Sequence, residues 1–273
     1  MADAQLPLLI EVEDFPALRD SRDDLLLVDL CAPDSYSAGH IPGAIYLHPG
    51  NLQCGIAPAP GRIPDESRLS ELFSAIGLRE DSHVIAYDDE GGGWAARLLW
   101  TLAAIGHQRI SYLNGGIHAW RAAGLPLETD VVAPVESSIS VRINGKVIAS
   151  AEDILPRLED PGFRIWDARS AAEYRGERSG SQRAGHIPGA INIDWLELFD
   201  RNNATRLVDL DTLRERLVSA DLGPDKDIVT HCQTHHRSSL SWLVMQLLGY
   251  PNARGYDGSW GDWGNRSDTP IEH

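Results

Sequence analysis

Asp227-Ile-Val-Thr-His-Cys-Gln-Thr-His-His-Arg-Ser-Ser239 decides how this chain folds and where its chemistry sits. Ile228-Val229-Thr230 is short, β-branched and apolar, which reads as a buried strand. Ser238 to Leu248 reads as a mostly apolar helix that stops at Gly249. Between them a tight loop holds Cys232, His235, His236 and Arg237. A strand that turns directly into a helix aims several backbone N–H groups into one concavity, and the helix N-terminus adds partial positive charge. A cysteine at the start of such a loop ionises readily, because the cradle favours the thiolate. Arg237 adds a fixed charge suited to a bidentate oxyanion. Gln233 and Thr234 are read as contributors of backbone N–H groups.

Working outward, no Asp or Glu occurs from Ile228 through Tyr256, although the chain carries 40 acidic residues and a formal net charge of -16. A buried helix excludes charge anyway. The rest of the gap keeps the local field positive where an anion must approach against the overall field. The negative balance argues against nucleic acid or an anionic membrane as partner. The N-terminus lacks the basic segment of a signal peptide, and no apolar stretch reaches transmembrane length. Three cysteines in 273 residues do not make a disulfide framework. A reduced, cytoplasmic, monomeric protein is expected.

The same landmarks occur twice. Leu25-Leu-Leu-Val-Asp29 precedes Gly39-His-Ile-Pro-Gly-Ala44, and Phe163-Arg-Ile-Trp-Asp167 precedes Gly185-His-Ile-Pro-Gly-Ala190. His83-Val-Ile-Ala-Tyr87 then answers Asp227 to His231, and Asn114-Gly-Gly-Ile-His-Ala-Trp120 answers Asp257-Gly-Ser-Trp-Gly-Asp-Trp263. So long a period means duplicated domains, not a solenoid. Helical segments such as 65–76, 94–105 and 211–222 alternate with the strands, which implies parallel pairing in an α/β architecture. The expected domains are 1–133 and 134–273, with the linker near 129–138 where Pro, Ser and Val replace helical patterning. The second repeat carries an inserted polar loop, 175–183.

Superposing the repeats puts Asp88 where Cys232 stands. The loop Asp88-Asp-Glu-Gly-Gly-Gly93 has neither cysteine nor arginine, so the first domain reads as inert. Its three acids could in principle hold a metal, but acids in a glycine loop are usually just solvated. Zinc on His231, Cys232, His235 and His236 is disfavoured, since ligands crowded on one tight turn do not close a tetrahedron. No metal or cofactor is therefore expected. His40 and His186 sit in motifs shared by both domains, so structural duty is expected. Nothing cationic closely flanks Cys31 or Cys54, which read as structural. Asp167, at the C-terminal end of its strand, either orients the loop or caps a turn. Trp195 is read as a wall of the same sheet edge.

Duplicated α/β domains, the His-Ile-Pro-Gly-Ala motifs and the cysteine on its strand-loop-helix turn resemble the rhodanese family of sulfurtransferases. The resemblance spans essentially the whole chain. Ala253 to Trp263 looks like the family's C-terminal signature, with Asp262 where Glu is usual. The loop Cys-Gln-Thr-His-His-Arg is similar to that of bacterial tandem-domain thiosulfate sulfurtransferases, and differs from the Arg-Lys loop of mammalian rhodaneses and the small, glycine-rich loop of mercaptopyruvate sulfurtransferases. The resemblance implies two rhodanese-like domains, each a mostly parallel sheet flanked by helices. It implies that Cys232 takes a sulfane sulfur from an anionic donor such as thiosulfate and passes it to cyanide, a thiol or a protein acceptor. Arg237, with His235 and His236, would hold the donor's sulfonate. 3-Mercaptopyruvate is the alternative donor. A phosphatase or arsenate reductase is a weaker rival, because those loops leave one more residue between cysteine and arginine. A non-catalytic interaction module would not need the cysteine, the arginine and the acid-free window together.

Overall fold

Two five-stranded parallel sheets form the frame of a computed structural model that describes residues 6–273. Residues 1–5, on which part of the signal-peptide reading rests, lie outside the described residues. Among the described residues no helix is long and apolar enough to cross a membrane. Contacts divide the chain into two units. The first comprises the chain up to Leu52, Pro64–Asn144 and Asp200–Leu207; the second comprises Gln53–Ile63, Gly145–Phe199 and Val208–His273.

In the first unit the strands are β1 (Leu9–Ile10), β2 (Leu25–Asp29), β3 (Ile45–Tyr46), β4 (His83–Tyr87) and β5 (Ile110–Leu113), in the order β1-β5-β4-β2-β3. The helices are α1 (Phe15–Asp20), α2 (Pro33–Ala38), α3 (Glu66–Ala75), α4 (Gly93–Ala104) and α5 (Gly116–Ala122). β4 is buried along its whole length, as a central parallel strand covered on both faces must be. Ile10, Phe15, Leu27, Ile85, Leu113 and Trp120 belong to one core cluster. α3 starts at Asp65, whose carboxylate accepts from Arg68 N at 2.9 Å. The segment read as a linker is docked on α3: Ser137 N donates to Ser74 O, Ile139 N to Ser74 Oγ and Val141 N to Ser70 Oγ. These bonds place 134–144 in the first unit, so the contact boundary falls at Asn144 instead of 133.

The second unit repeats the pattern. Its sheet contains β6 (Ile148–Ala149), β7 (Phe163–Asp167), β8 (Ile191–Asn192), β11 (Asp227–His231) and β12 (Ala253–Tyr256), in the order β6-β12-β11-β7-β8. A small ribbon, β9 (Phe199–Asp200) with β10 (Arg206–Leu207), lies outside it. The helices are α6 (Ala151–Ile154), α7 (Ala171–Tyr174), α8 (Leu210–Ser219), α9 (Arg237–Leu247) and α10 (Ser259–Trp263). Identical strand order in both sheets is what a duplication predicts. The match extends to atoms: Trp120 Nε1 donates to Pro126 O and Trp263 Nε1 to Pro270 O, each at 2.8 Å.

The paired Gly-His-Ile-Pro-Gly-Ala segments do the same structural work in each unit. His40 Nδ1 meets Tyr36 O at 3.0 Å and its ring stacks on Tyr36. His186 Nδ1 meets Tyr174 O at 2.9 Å and its ring stacks on Tyr174. Gly43 and Gly189 take φ of 80° and 71°, the left-handed turn that leads into β3 and β8.

Candidate active site

The site is assembled at the C-terminal ends of β7 and β11, the edge where open parallel sheets place their ligands. β11 and β7 pair in register, with His231 opposite Asp167. β11 delivers Cys232 to the mouth of the turn, and α9 begins five residues on at Arg237. His235, with φ of 53°, supplies the left-handed residue that the tight return requires. Its ring is buried, with Nδ1 at 2.7 Å from Ser238 Oγ, and its carbonyl accepts from Ser239 Oγ. It therefore braces the loop from inside.

Cys232 is 1% exposed. Burial pushes its thiol up, but the Arg237 charge, the Ser238 hydroxyl and the N–H groups of Ser238 and Thr234 outweigh it and bring the thiol down to about 7. Cys31, buried beside Asp29 with no cation, is pushed the other way. The cradle is tied down behind the cysteine. Cys232 N donates to Ser259 Oγ at 3.3 Å, and Trp260 N and Gly261 N donate to the carbonyls of Cys232 and Gln233, each at 2.9 Å. Ser259, with φ of 52°, stands where the first unit has Gly116 at φ of 51°.

Arg237 does not present a free fork to solvent. Its two terminal nitrogens donate to the two carboxylate oxygens of Glu173 at 2.8 and 2.9 Å, and its charge also acts on the Cys232 sulfur. Burial opposes ionisation of Glu173, but Arg237 and Ser170 outweigh it and hold the carboxyl at about 2. Glu173 is also the third residue of α7, in a capping box with Ser170. Ser-x-x-Glu at 170–173 is legible as a helix start; its pairing with Arg237, 64 residues away, is not.

The remaining expected site residues separate into a rim and a foundation. Gln233 Nε2 bonds Ser181 Oγ of the inserted loop at 3.2 Å. The carbonyl of Thr234 accepts from Gln53 Nε2 at 3.4 Å, and its backbone lies against Gly61. His236 is half-buried, with its ring centroid 5.7 Å from that of Trp195, so these two form one wall. Asp167 is fully buried and takes Arg169 Nε and Nη2 at 2.6–3.0 Å. His231 approaches Asp167 at 3.5 Å, but burial, only partly opposed by Asp167, lowers its pKa to about 4. The ring is neutral at pH 7, so Arg169 is the charge partner of Asp167. Arg169 Nη2 also donates to Gly185 O at 2.9 Å and its guanidinium lies over the Trp260 ring, a role that nothing in the sequence signalled. Among the described residues no cluster of His, Cys, Asp and Glu is arranged to hold a metal.

In the first unit the equivalent turn is filled by its own side chain. Asp88 is 2% exposed. Its carboxylate accepts from the backbone N–H groups of Glu90, Gly92, Trp94 and Ala95 at 2.8–3.1 Å. Ile117 N donates to Asp88 O, as Trp260 N does to Cys232 O. The cradle survives, and a fixed carboxylate occupies it.

The sequence matches the model of the rhodanese-like domain over residues 11–123 and again over 150–266. It is 46% identical to a thiosulfate sulfurtransferase of Azotobacter vinelandii and 43% identical to one of Pseudomonas aeruginosa, over 98% of this chain and of each relative. It is 31% identical to the 3-mercaptopyruvate sulfurtransferase of Escherichia coli, over 87% of this chain and 84% of that one. Its fold is similar to that of an anaerobic ergothioneine biosynthesis enzyme from Chlorobium limicola, with a TM-score of 0.87 and 21% identity over 97% of this chain and 70% of that one. With both halves of the fold, and nearly the full length of its relatives, accounted for, the chain belongs to the rhodanese-like family.

Proposed function

We propose that this chain is a thiosulfate sulfurtransferase in which Cys232 carries the sulfur as a persulfide. The supporting observation is the Cys232 thiol, held at about 7 inside a ring of N–H donors with Arg237 beside it. The thiolate attacks the outer sulfur of thiosulfate. A bond forms between Sγ and that sulfur, the sulfur–sulfonate bond breaks, and its electron pair leaves with sulfite. The persulfide anion that remains takes the thiolate's place among the N–H groups, so the cradle serves both states. Cyanide or a thiol then attacks the outer sulfur and returns Cys232 to the thiolate. Charge and electrons balance at each step, and no metal or redox cofactor is called on. Trp195 and His236 wall the approach, while Gln233, Thr234, His235 and Asp167 hold the loop in shape.

The phosphatase alternative is weakened by loop length: four residues separate Cys232 from Arg237, one fewer than those loops leave. Thiosulfate should add the mass of one sulfur atom to Cys232, and cyanide should remove it. Cys232→Ala should show no such gain and no thiosulfate:cyanide activity, with an unchanged circular dichroism spectrum. Activity retained by that folded variant would overturn the assignment, and the same assay run with 3-mercaptopyruvate separates the two donors.

A further inference from the structure

Glu173 is the one acidic side chain shown bonded to the arginine of the loop, and nothing in the sulfur transfer above requires an acid there. Its carboxylate is 15% exposed and faces Arg237, whose side chain is 20% exposed, with two parallel contacts of 2.8 and 2.9 Å. Oε2 is held further by Ser170 Oγ at 2.8 Å, and Arg178 bonds that hydroxyl from the exposed side. The acid is thus held by the guanidinium on one side and the Ser170 hydroxyl on the other.

The charges around the reacting sulfur can be summed element by element. Cys232 in its reactive form contributes one negative charge, Arg237 one positive and Glu173 one negative. Beneath them Asp167 and Arg169 cancel, and His231 is neutral. From α10, Asp262 is paired with Arg62. Arg178 is exposed and bonds the Ser170 hydroxyl that holds Glu173. Glu173 therefore offsets the charge of Arg237, while the Ser238 hydroxyl and the N–H groups of Ser238 and Thr234 go on stabilising the thiolate.

We infer that Glu173 is a specificity-determining residue: by pairing with Arg237, it offsets part of the advantage that the arginine gives to doubly charged donors such as thiosulfate over donors with a single negative charge, such as organic thiosulfonates. This rests on the reading that Cys232 is the sulfur carrier. Both donor classes undergo the same step, with the sulfane sulfur bonding Sγ and sulfite or sulfinate leaving with the electron pair. Only the charge brought into the site differs. One elementary charge in a partly screened site should change the preference about threefold to tenfold.

The test uses the full-length protein and two readouts. The first is the ratio of kcat/KM for thiosulfate to that for methanethiosulfonate. The second, independent of sulfur transfer, is the ratio of alkylation rates at Cys232 by iodoacetate and iodoacetamide, read by peptide mapping. Glu173→Gln keeps an oxygen for the Ser170 cap and removes the charge, and both ratios should rise about threefold to tenfold. Glu173→Asp keeps the charge, and both ratios should stay within about twofold of wild type whatever the absolute rates. In the wild type the alkylation ratio should lie at or below that of N-acetylcysteinamide, which needs no variant to fold. Unchanged ratios in Glu173→Gln, an equal rise in Glu173→Asp, or a wild-type alkylation ratio well above the reference would each overturn the inference. If alkylation behaves as expected while neither donor loads Cys232, the sulfur-carrier reading fails and the charge assignment stands.

Discussion

Cys232 and Arg237 are coupled by charge more than by shape. Arg237 is the largest influence drawing the thiol down against burial, and the Ser238 hydroxyl follows it. A thiol at about 7 gives a definite pH dependence. As pH falls through about 7 the thiolate is protonated and the nucleophile is lost, so sulfur loading should decline on the acid side. Arg237→Ala removes the main opposition to burial. The midpoint of iodoacetamide reactivity at Cys232 should then move upward by at least about one unit, and loading at neutral pH should fall roughly tenfold. A midpoint that stays in place would mean that the N–H groups alone set the ionisation. Glu173 is the residue that reading the sequence left out. Its pairing with Arg237 bears on the sulfonate-holding role expected of that arginine, which also draws the Cys232 thiol down.

At the level of elements, the two strand-turn-helix units place different side chains, Cys232 and Asp88, in one backbone device. In both, a parallel strand is followed by a turn whose amides converge. α9 follows Cys232, and the thiolate is the anion the amides stabilise. α4 follows Asp88, and the carboxylate is a permanent occupant. Burial and the neighbouring Glu90 push that carboxyl up to about 6, while the N–H groups of Ala95, Gly92 and Glu90 pull it down. Removing it leaves buried donors without their acceptor. Asp88→Ala should therefore cost about 2–4 kcal/mol, seen as a lowered first transition in differential scanning calorimetry. Wild-type melting in this variant would show that water replaces the carboxylate freely. Alternating short apolar strands and helices, the two glycine-proline turns and the stop at Gly249 were all legible, because each depends on neighbours close in sequence. Strand β8 spans two residues, as its counterpart β3 does, and helix α7 spans four where α2 spans six.

On the scale of the whole molecule, sequence order and contact order part company. Gln53–Ile63 follows β3 of the first sheet but belongs by contacts to the second unit, and Asp200–Leu207 belongs to the first. Within the second unit, Gln53 reaches Thr234 O, Ile63 N reaches Asp257 and Arg62 pairs with Asp262. Gly61 is needed at the closest approach, because a Cβ there would stand 2.3 Å from Thr234 O. Gly61→Ala should push the Cys232 loop out of register, raising the thiol pKa and lowering sulfur-transfer kcat at least about tenfold, with a smaller effect on global melting. If kcat and the pH midpoint are both unaltered, the loop accommodates the methyl group and the segment is only a cover.

By itself the sequence determined the duplication and the parallel α/β architecture, and it singled out Cys232 as the nucleophile proposed here and the first repeat as the one without a cysteine in that turn. Each of these is written in residues that act on near neighbours: β-branched runs, helix stops, a cysteine at a turn, an aspartate in its place. The tertiary structure alone decided which charges meet. Glu173 reaches Arg237 across 64 residues, and Arg206 reaches Glu11 across 195. Arg169, two residues from Asp167, pairs with it where both side chains are fully buried. Such pairings depend on folded distance and shared desolvation, which no spacing along the chain encodes. They nonetheless set the charge that a sulfur donor meets at Cys232.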